Sequence, residues 1–210
     1  MNILLLGPQG SGKGTQARLL CEKYGFFYFE SGAYLRRIAK NNEDLEKTLA
    51  QGKLVPDREM TSYLTAYLDK ENLYDDIVFD GFPRTLAQYN FLKIWLSQKK
   101  VKLDLVVVLT ISEKETIRRL SARRLDPKTG KIYNLITDHP PSAVDEDKLV
   151  QREDDKPEAI EERLALYRKL TEPLIEEVRK ESKVVEIDGE RPIGEISANL
   201  VKIIDDYKKN

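Results

Sequence analysis

The stretch that decides the fold is Ile3-Leu4-Leu5-Leu6-Gly7-Pro8-Gln9-Gly10-Ser11-Gly12-Lys13-Gly14-Thr15, at the start of the chain. Four apolar residues indicate a buried strand, and a helical pattern follows the glycine-rich turn. Spaced glycines let successive backbone N–H groups point into one pocket, which the positive end of the next helix also faces. An anion fits there, and Lys13 can reach between the last two phosphates of a nucleoside triphosphate.

The loop departs from the pattern GxxxxGK[ST] at one place. Gly14 follows the lysine, and the hydroxyl comes one residue later, at Thr15. Direct ligation of a metal ion by that hydroxyl is therefore less expected than in the usual pattern. The loop of residues 7–15 as a whole is predicted to bind the phosphates.

Composition limits the possible classes of protein. At 210 residues, one substantial core with inserted subdomains is expected. The net charge of −1 gives no overall attraction to nucleic acid or to an anionic membrane. A single cysteine, Cys21, excludes an intramolecular disulfide and a thiolate zinc site. No leader pattern or long apolar run occurs, so we expect a soluble cytoplasmic protein without nucleic-acid or membrane partners.

Short apolar runs alternate with helical patterns, which predicts an α/β fold with a five-stranded parallel sheet flanked by helices. The predicted strands are Ile3 to Leu6, Phe26 to Phe29, Ile77 to Phe79, Leu105 to Leu109 and Val184 to Ile187. The predicted helices are Gly14 to Tyr24, Gly32 to Lys40, Arg58 to Leu68, Leu86 to Gln98, Glu113 to Arg124, Pro157 to Lys180 and Pro192 to Tyr207. Together with the phosphate loop, this order predicts the P-loop NTPase fold.

Two stretches interrupt the alternation. Residues 30 to 60 hold extra helical segments between the second and third strands. Residues 125 to 155 hold prolines, Gly130 and several acids with little helical period, which predicts an irregular excursion. Loops of this length in a compact domain are usually functional or disordered.

A second candidate site is Asp80-Gly81-Phe82-Pro83-Arg84-Thr85, at the carboxyl end of a predicted strand. Parallel α/β sheets bind their ligands at this edge. Gly81 permits close approach of the backbone, and Arg84 can form a fork with a phosphate. Asp80 lies where it could orient a hydrated magnesium ion that accompanies a triphosphate.

Arginines concentrate at the edges of the second excursion, with Arg119 and Arg123 before it and Arg152 and Arg163 after it. The first two are four residues apart, so we expect them on one face of the predicted helix. Phosphoryl transfer requires several cationic donors around the transferred group and exclusion of water. The arginines are therefore candidates for that role.

The chain resembles the adenylate kinase family nearly from end to end. The segments that carry the resemblance are Gly7 to Thr15, Ser31-Gly32 with Leu35-Arg36, Gly52 to Val55, Asp80 to Thr85 with Gln88, Arg119, Arg123-Arg124, Gly130 to Tyr133, Arg152 to Asp155, Arg163, and Asp188-Gly189 with Arg191-Pro192. The resemblance implies a core of residues 1–29, 60–124 and 156–210, a nucleoside-monophosphate-binding subdomain of residues 30–59 and a lid of residues 125–155.

The resemblance also implies roles for single residues. The residues on the ATP side are Gly10, Ser11, Gly12, Lys13, Gly14 and Thr15, which would hold the phosphates, and Arg119, Arg123, Ile132, Tyr133 and the backbone near Arg191. On the AMP side are Ser31, Arg36, Lys53, Leu54, Val55, Gly81, Phe82, Pro83, Arg84, Gln88, Arg152 and Arg163. The expected catalytic group consists of Lys13, Asp80, Arg84, Arg119, Arg123, Arg152 and Arg163. Mg²⁺ would be held by ATP and by water, and Asp80 would contact the ion only through one of those waters.

Two departures from the family pattern stand out. Ala33 and Tyr34 follow Ser31-Gly32 where the family commonly has an aspartate and an apolar residue. In place of the cysteines that bind zinc in many bacterial lids, the chain has Asp126, Thr129, Asp145 and Asp147. Because the thiolates are missing, we expect a lid without structural zinc, held by hydrogen bonds among those polar groups.

The expected activity is reversible phosphoryl transfer from Mg-ATP to AMP by a monomer, which gives two ADP. A UMP/CMP kinase is the nearest alternative, but the long lid and Gln88, whose amide can bond an adenine edge, favour AMP. A GTP:AMP kinase and a non-catalytic adenylate sensor are further alternatives. The number of arginines disfavours the sensor, because binding ATP alone would not require them all.

Overall fold

The structure is a computed structural model that describes residues 1–209. Its central sheet has five parallel strands in the order β2-β3-β1-β4-β7. The strands of this sheet are β1 (Ile3–Leu6), β2 (Phe27–Glu30), β3 (Ile77–Asp80), β4 (Leu105–Thr110) and β7 (Val184–Asp188). A separate antiparallel hairpin consists of β5 (Arg123–Leu125) and β6 (Ile132–Asn134).

Helices cover both faces of the sheet. They are α1 (Lys13–Tyr24), α2 (Ser31–Ala39), α3 (Glu43–Ala50), α4 (Asp57–Lys70), α5 (Leu86–Gln98), α6 (Glu113–Ser121), α7 (Pro157–Leu166), α8 (Glu172–Glu181) and α9 (Ile193–Lys209). The predicted α/β class and five-stranded parallel sheet are confirmed.

Strand β1 is the centre of the core, and its side chains alternate between the two faces. Leu4 and Leu6 pack into one apolar cluster, whereas Ile3 and Leu5 pack into the other. From β1 the chain runs to β2 on one side, whereas it passes from β3 to β4 on the other side of β1. This topology opens a crevice at the carboxyl end of β1, where the phosphate loop begins.

The predicted helix to Arg124 was wrong at its end. Helix α6 stops at Ser121, and Arg123 belongs to β5. The hairpin supplies the reason, because Asn134 Nδ2 donates to the carbonyl of Arg119 at 2.8 Å and Leu135 N donates to that of Ala122 at 3.0 Å. These bonds satisfy helix-end carbonyls. Arg119 and Arg123 therefore do not share a helix face.

The predicted helix Pro157 to Lys180 was wrong in its middle. A π-helical segment, Tyr167–Thr171, separates α7 from α8. Pro173 has no N–H to donate back along the helix, which is a sequence signal for this break. Within this segment the hydroxyl of Thr171 donates to the carbonyl of Arg84 at 3.0 Å, so the break connects the helix pair α7 and α8 to the segment that follows β3.

The two stretches that interrupt the alternation of strands and helices contain regular secondary structure. Residues 30 to 60 form α2, α3 and the start of α4, and Asn42 caps α3 by accepting from Leu45 N at 3.0 Å. Residues 125 to 155 are more ordered than predicted, because they contain β6 and two single 3₁₀ turns, Glu146–Lys148 and Glu153–Asp155. The predicted strand at Phe26 is shifted by one residue, since Glu30 pairs with Asp80 of β3.

Candidate active site

A cavity of about 470 Å³ lies at the carboxyl ends of the strands, between the phosphate loop, the hairpin and α7. Cationic side chains outnumber acidic ones along its walls. A smaller cavity continues between α2, the loop at Gly52 and the start of α5. Arg36, Arg84 and Arg163 line both cavities, so the same three cations face both spaces.

The phosphate loop wraps around the side chain of Lys13. Its Nζ donates to the carbonyls of Gly7 and Pro8, both at 2.8 Å. Gly7 has φ +134, and a Cβ there would lie 2.3 Å from the carbonyl oxygen of Leu109, so only glycine fits. Burial, followed by the repulsion of nearby arginines and opposed by Asp80, lowers the pKa of Lys13 to about 8.

Two adjacent carboxylates hold the arginines of the two cavities, and one of them, Asp154, lines the smaller cavity itself. Asp155 is fully buried and accepts from Arg123, with Nε to Oδ2 at 2.7 Å and Nη2 to Oδ1. Asp154 accepts from Arg152 at 2.6 and 2.9 Å and from Arg163 at 3.1 Å. The sequence analysis did not assign roles to either carboxylate, although both belong to the segment that carries the family resemblance.

The arginines carry more charge than these two carboxylates neutralise. Burial lowers the pKa of Arg163, and the neighbouring arginines lower it further despite Asp154. Burial also lowers the pKa of Arg36 and of Arg84. For Arg123 burial lowers the pKa, but the hydrogen bonds and charge of Asp155, together with the charges of Asp154 and Glu30, outweigh it and raise the pKa above its ordinary value. A bound polyphosphate would relieve this crowding of positive charge.

Asp80 ends β3 and is nearly buried in the cavity wall. Burial raises its pKa, which Lys13 opposes and Glu30 reinforces. The hydroxyl of Tyr28 lies 2.9 Å from Asp80 Oδ2 and 3.2 Å from Glu30 Oε2, and its one proton can serve only one of them at a time. The sequence analysis named neither Tyr28 nor Glu30 as a site residue, because Tyr28 lies within the predicted strand Phe26 to Phe29 and Glu30 directly follows it.

The smaller cavity gathers most of the residues expected on the AMP side. Those in its lining are Ser31, Arg36, Lys53, Leu54, Val55, Gly81, Arg84, Gln88 and Arg163. Gly81 has φ +77, and a Cβ there would lie 2.6 Å from Ser31 Oγ, which explains the glycine. Pro83 and Arg152 line the larger cavity, whereas Phe82 is fully buried in the apolar core.

The larger cavity gathers most of the residues expected on the ATP side. Those in its lining are Gly10, Gly12, Lys13, Gly14, Thr15, Arg119, Arg123, Ile132, Tyr133 and Arg191. Arg119 is anchored there by Nη1, which donates to the carbonyls of Gly189 at 2.8 Å and Gly10 at 3.3 Å. Ser11 is fully buried and does not belong to the lining of the larger cavity, unlike the other residues from Gly10 to Thr15.

The polar residues of the predicted lid form local turns. Thr129 Oγ1 donates to Asp126 Oδ2 at 2.7 Å, and Asp147 N donates to Asp145 Oδ1 at 3.2 Å. Neither bond joins the two halves of the segment. Among residues 1–209, no group of three or more His, Cys, Asp or Glu side chains is placed to hold a metal ion. No helix in the same range has the length and apolar character of a membrane span.

The family of the chain follows from its similarity to known proteins. The sequence model of the family "Adenylate kinase" matches residues 5–183. The chain is 36% identical over 217 residues to the adenylate kinase of Petrotoga mobilis, with all of both chains covered. It is 37% identical over 218 residues to that of Pyrococcus furiosus, with 100% of this chain and 98% of the relative covered. Because the family match spans most of the chain and these relatives match end to end, this chain belongs to the adenylate kinase family.

Proposed function

We propose that the residues of the two cavities carry out the adenylate kinase reaction, in which the terminal phosphoryl group of ATP passes reversibly to AMP and gives two ADP. The observation that carries this proposal is the position of Arg84 and Arg163, which line both cavities. A group transferred between two nucleotides must pass where their binding spaces meet. Cations at that junction stabilise the negative charge spread over the transferring oxygens.

In this proposal the larger cavity holds ATP. The backbone from Gly10 to Thr15 surrounds the phosphates, and Lys13 supplies a charge at the last two. Arg119 and Arg123 reach the phosphates from the base of the lid, and Ile132 and Tyr133 close over them. The backbone near Arg191 flanks the base.

The smaller cavity holds AMP. Its phosphate meets Arg36, Arg84, Arg152 and Arg163, and its ribose and base lie near Ser31 and the backbone of Lys53, Leu54 and Val55. Gln88 bonds the adenine edge. No general base is needed, because an AMP phosphate oxygen is already ionised near neutral pH and attacks directly.

Adenylate kinases act on Mg-ATP, and the cavity wall suits that ion. Asp80 offers a nearly buried carboxylate beside the phosphate loop, and Glu30 lies close to it. Oxygen ligands are those that Mg²⁺ prefers, and it usually keeps several waters. When bound, the ion neutralises charge on the phosphates, and Asp80 would orient one of its waters rather than ligate it.

We further propose that residues 30–59 and 125–155 close over a core of residues 1–29, 60–124 and 156–210. Closure would keep water from the transferring group, and reopening would release ADP. The proposal includes a cytoplasmic monomer and a lid without zinc. Metal analysis of the purified protein and its sedimentation behaviour test these two parts.

The function is tested by measuring ADP formation with Mg-ATP and each of AMP, CMP, UMP and GMP, and then with Mg-GTP and AMP. We expect turnover with Mg-ATP and AMP alone. Preference for CMP or UMP would move the chain to the UMP/CMP kinases, and preference for GTP would change the donor. ATP binding without turnover would indicate a sensor and contradict the proposal.

A further inference from the structure

The side-chain amide of Gln88 is held at both ends. Its Nε2 donates to Asp57 Oδ1 at 2.7 Å, and its Oε1 accepts from the backbone N–H of Arg84 at 2.8 Å. Asp57 is held in turn, because Thr85 Oγ1 donates to its other oxygen at 3.0 Å. Gln88 itself is 3% exposed and lines the smaller cavity.

These partners allow only one orientation of the amide. An ionised carboxylate only accepts hydrogen bonds, and a backbone N–H only donates. If the amide turned over, its oxygen would face the carboxylate of Asp57 and its nitrogen would face the N–H of Arg84. Both contacts would become repulsive, in a site too buried for water to compensate easily.

The fixed orientation leaves one N–H and one oxygen lone pair of Gln88 free. Adenine presents a 6-amino donor beside the N1 acceptor, which matches this pair. A 6-oxopurine, such as guanine or hypoxanthine, presents an acceptor beside an N1–H donor and would require the opposite orientation. The same amide, free to turn over, could accept either purine.

We infer that Asp57 is a positioning residue that determines base specificity, because it fixes the Gln88 amide in the orientation that accepts a 6-aminopurine and rejects a 6-oxopurine. This inference rests on the proposed role of the smaller cavity as the AMP site. Asp57 is the first residue of α4, 31 positions before Gln88. Asp57 therefore links the end of residues 30–59, the segment proposed to close over AMP, to Gln88, the residue proposed to bind the adenine base.

The test compares AMP with IMP, which carries the 6-oxo group without the additional 2-amino group of GMP. In Asp57→Asn the new amide can present either its oxygen or its nitrogen to Gln88, so the penalty for turning Gln88 over disappears on that side. The ratio of kcat/KM for AMP to that for IMP should fall by about tenfold, the equivalent of one charge-assisted hydrogen bond. Arg84 N–H remains, so selectivity is reduced rather than abolished.

The matched control is Glu59→Gln, which removes an exposed acid from the same first turn of α4. It should leave the AMP/IMP ratio unchanged. Competition binding of AMP and IMP, measured without ATP, should show the same change of ratio in Asp57→Asn. If Asp57→Asn does not fold, Asp57→Ala provides the test, because it removes the carboxylate and with it the penalty for turning the Gln88 amide over on that side.

An equal loss of activity with AMP and IMP, at constant ratio, would show that Asp57 acts only through structure and would overturn the inference. The proposed function would survive that result, because it depends on turnover of AMP by the unaltered chain. Absence of AMP turnover by the unaltered chain in the same assay would instead contradict the proposed function itself.

Discussion

Replacing Arg123 by alanine should damage activity and stability through two separate causes. Arg123 lines the larger cavity, and the same guanidinium forms a two-pronged ion pair with Asp155, which is fully buried. The substitution removes a cation proposed to face the transferring group. It also leaves a buried carboxylate for which, within residues 1–209, Arg163 is the only remaining cation within 4 Å, with its Nη1 3.7 Å from Asp155 Oδ1.

The loss of stability and the loss of activity can be estimated separately. Removing one partner of a buried ion pair costs about 3–5 kcal/mol, and the remaining Arg163 reduces this to about 2–3 kcal/mol. For a chain of this size each kcal/mol lowers Tm by about 2–4 °C, so Tm should fall by about 4–12 °C. Loss of one donor to charge that develops in the transition state should lower kcat by about 10²–10³-fold.

A second substitution separates the two causes. In Arg123→Ala with Asp155→Asn, the buried charge is gone while the shape of the side chain is kept, so we expect most of the lost Tm to return. The turnover number should stay low, because the catalytic cation is still missing. Arg124→Ala is the matched control, since Arg124 is the next residue of β5 but does not line the cavity.

The assays are thermal unfolding by circular dichroism and ADP formation at saturating Mg-ATP and AMP. Near-normal turnover in folded Arg123→Ala would refute the assignment of Arg123. Recovery of both Tm and kcat in the double variant would show that the single variant was inactive only because it was unstable. Low kcat with restored Tm is the expected result.

Three further predictions concern the rest of the site. Burial and neighbouring arginines lower the pKa of Lys13 to about 8, so near that pH the protein should take up protons when it binds ATP, and its affinity for ATP should fall as pH rises. Calorimetry of ATP binding in buffers of different ionisation enthalpy measures this proton uptake. The absence of uptake would contradict the lowered pKa. Tyr28→Phe removes a hydrogen bond that favours the ionised form of Asp80, so the acid limb of the kcat–pH profile should move to higher pH, and an unmoved limb would contradict the role of Asp80. Gly52→Ala should raise the KM for AMP, because φ is +73 and a Cβ would lie 2.6 Å from the carbonyl oxygen of Ala159. The free energy of unfolding should fall by about 1–3 kcal/mol. An unchanged KM would show that AMP binding does not need the close approach of Gly52 to Ala159.

Local patterns in the sequence were sufficient to predict the sheet and the phosphate loop. An apolar run such as Ile3–Leu6 has only one stable place in a protein of this class, the interior of a parallel sheet. The strand ends in turn place the loop residues and Asp80 at one edge. These inferences need only neighbours in sequence and the rule that parallel strands end together.

Features that depend on distant partners could not be predicted in the same way. The end of α6 is set by hairpin residues beyond it, as the bond from Asn134 to the carbonyl of Arg119 shows. The amide orientation of Gln88 depends on Asp57, which no local pattern connects to it. The break at Tyr167–Thr171 is an exception, because the missing N–H of Pro173 is a local signal that indicates an interrupted helix.

The turn Glu153–Asp155 explains how one cleft can hold so many cations before any nucleotide binds. Asp154 holds Arg152 and Arg163, and Asp155 holds Arg123, so adjacent residues of one turn fix cations proposed for both nucleotides. These ion pairs fix the geometry of the arginines, and because two carboxylates do not neutralise three arginines, positive charge remains beside the cavities. Phosphate oxygens would supply the missing negative charge without requiring the arginines to reorganise, which is the condition for strong stabilisation of a transition state.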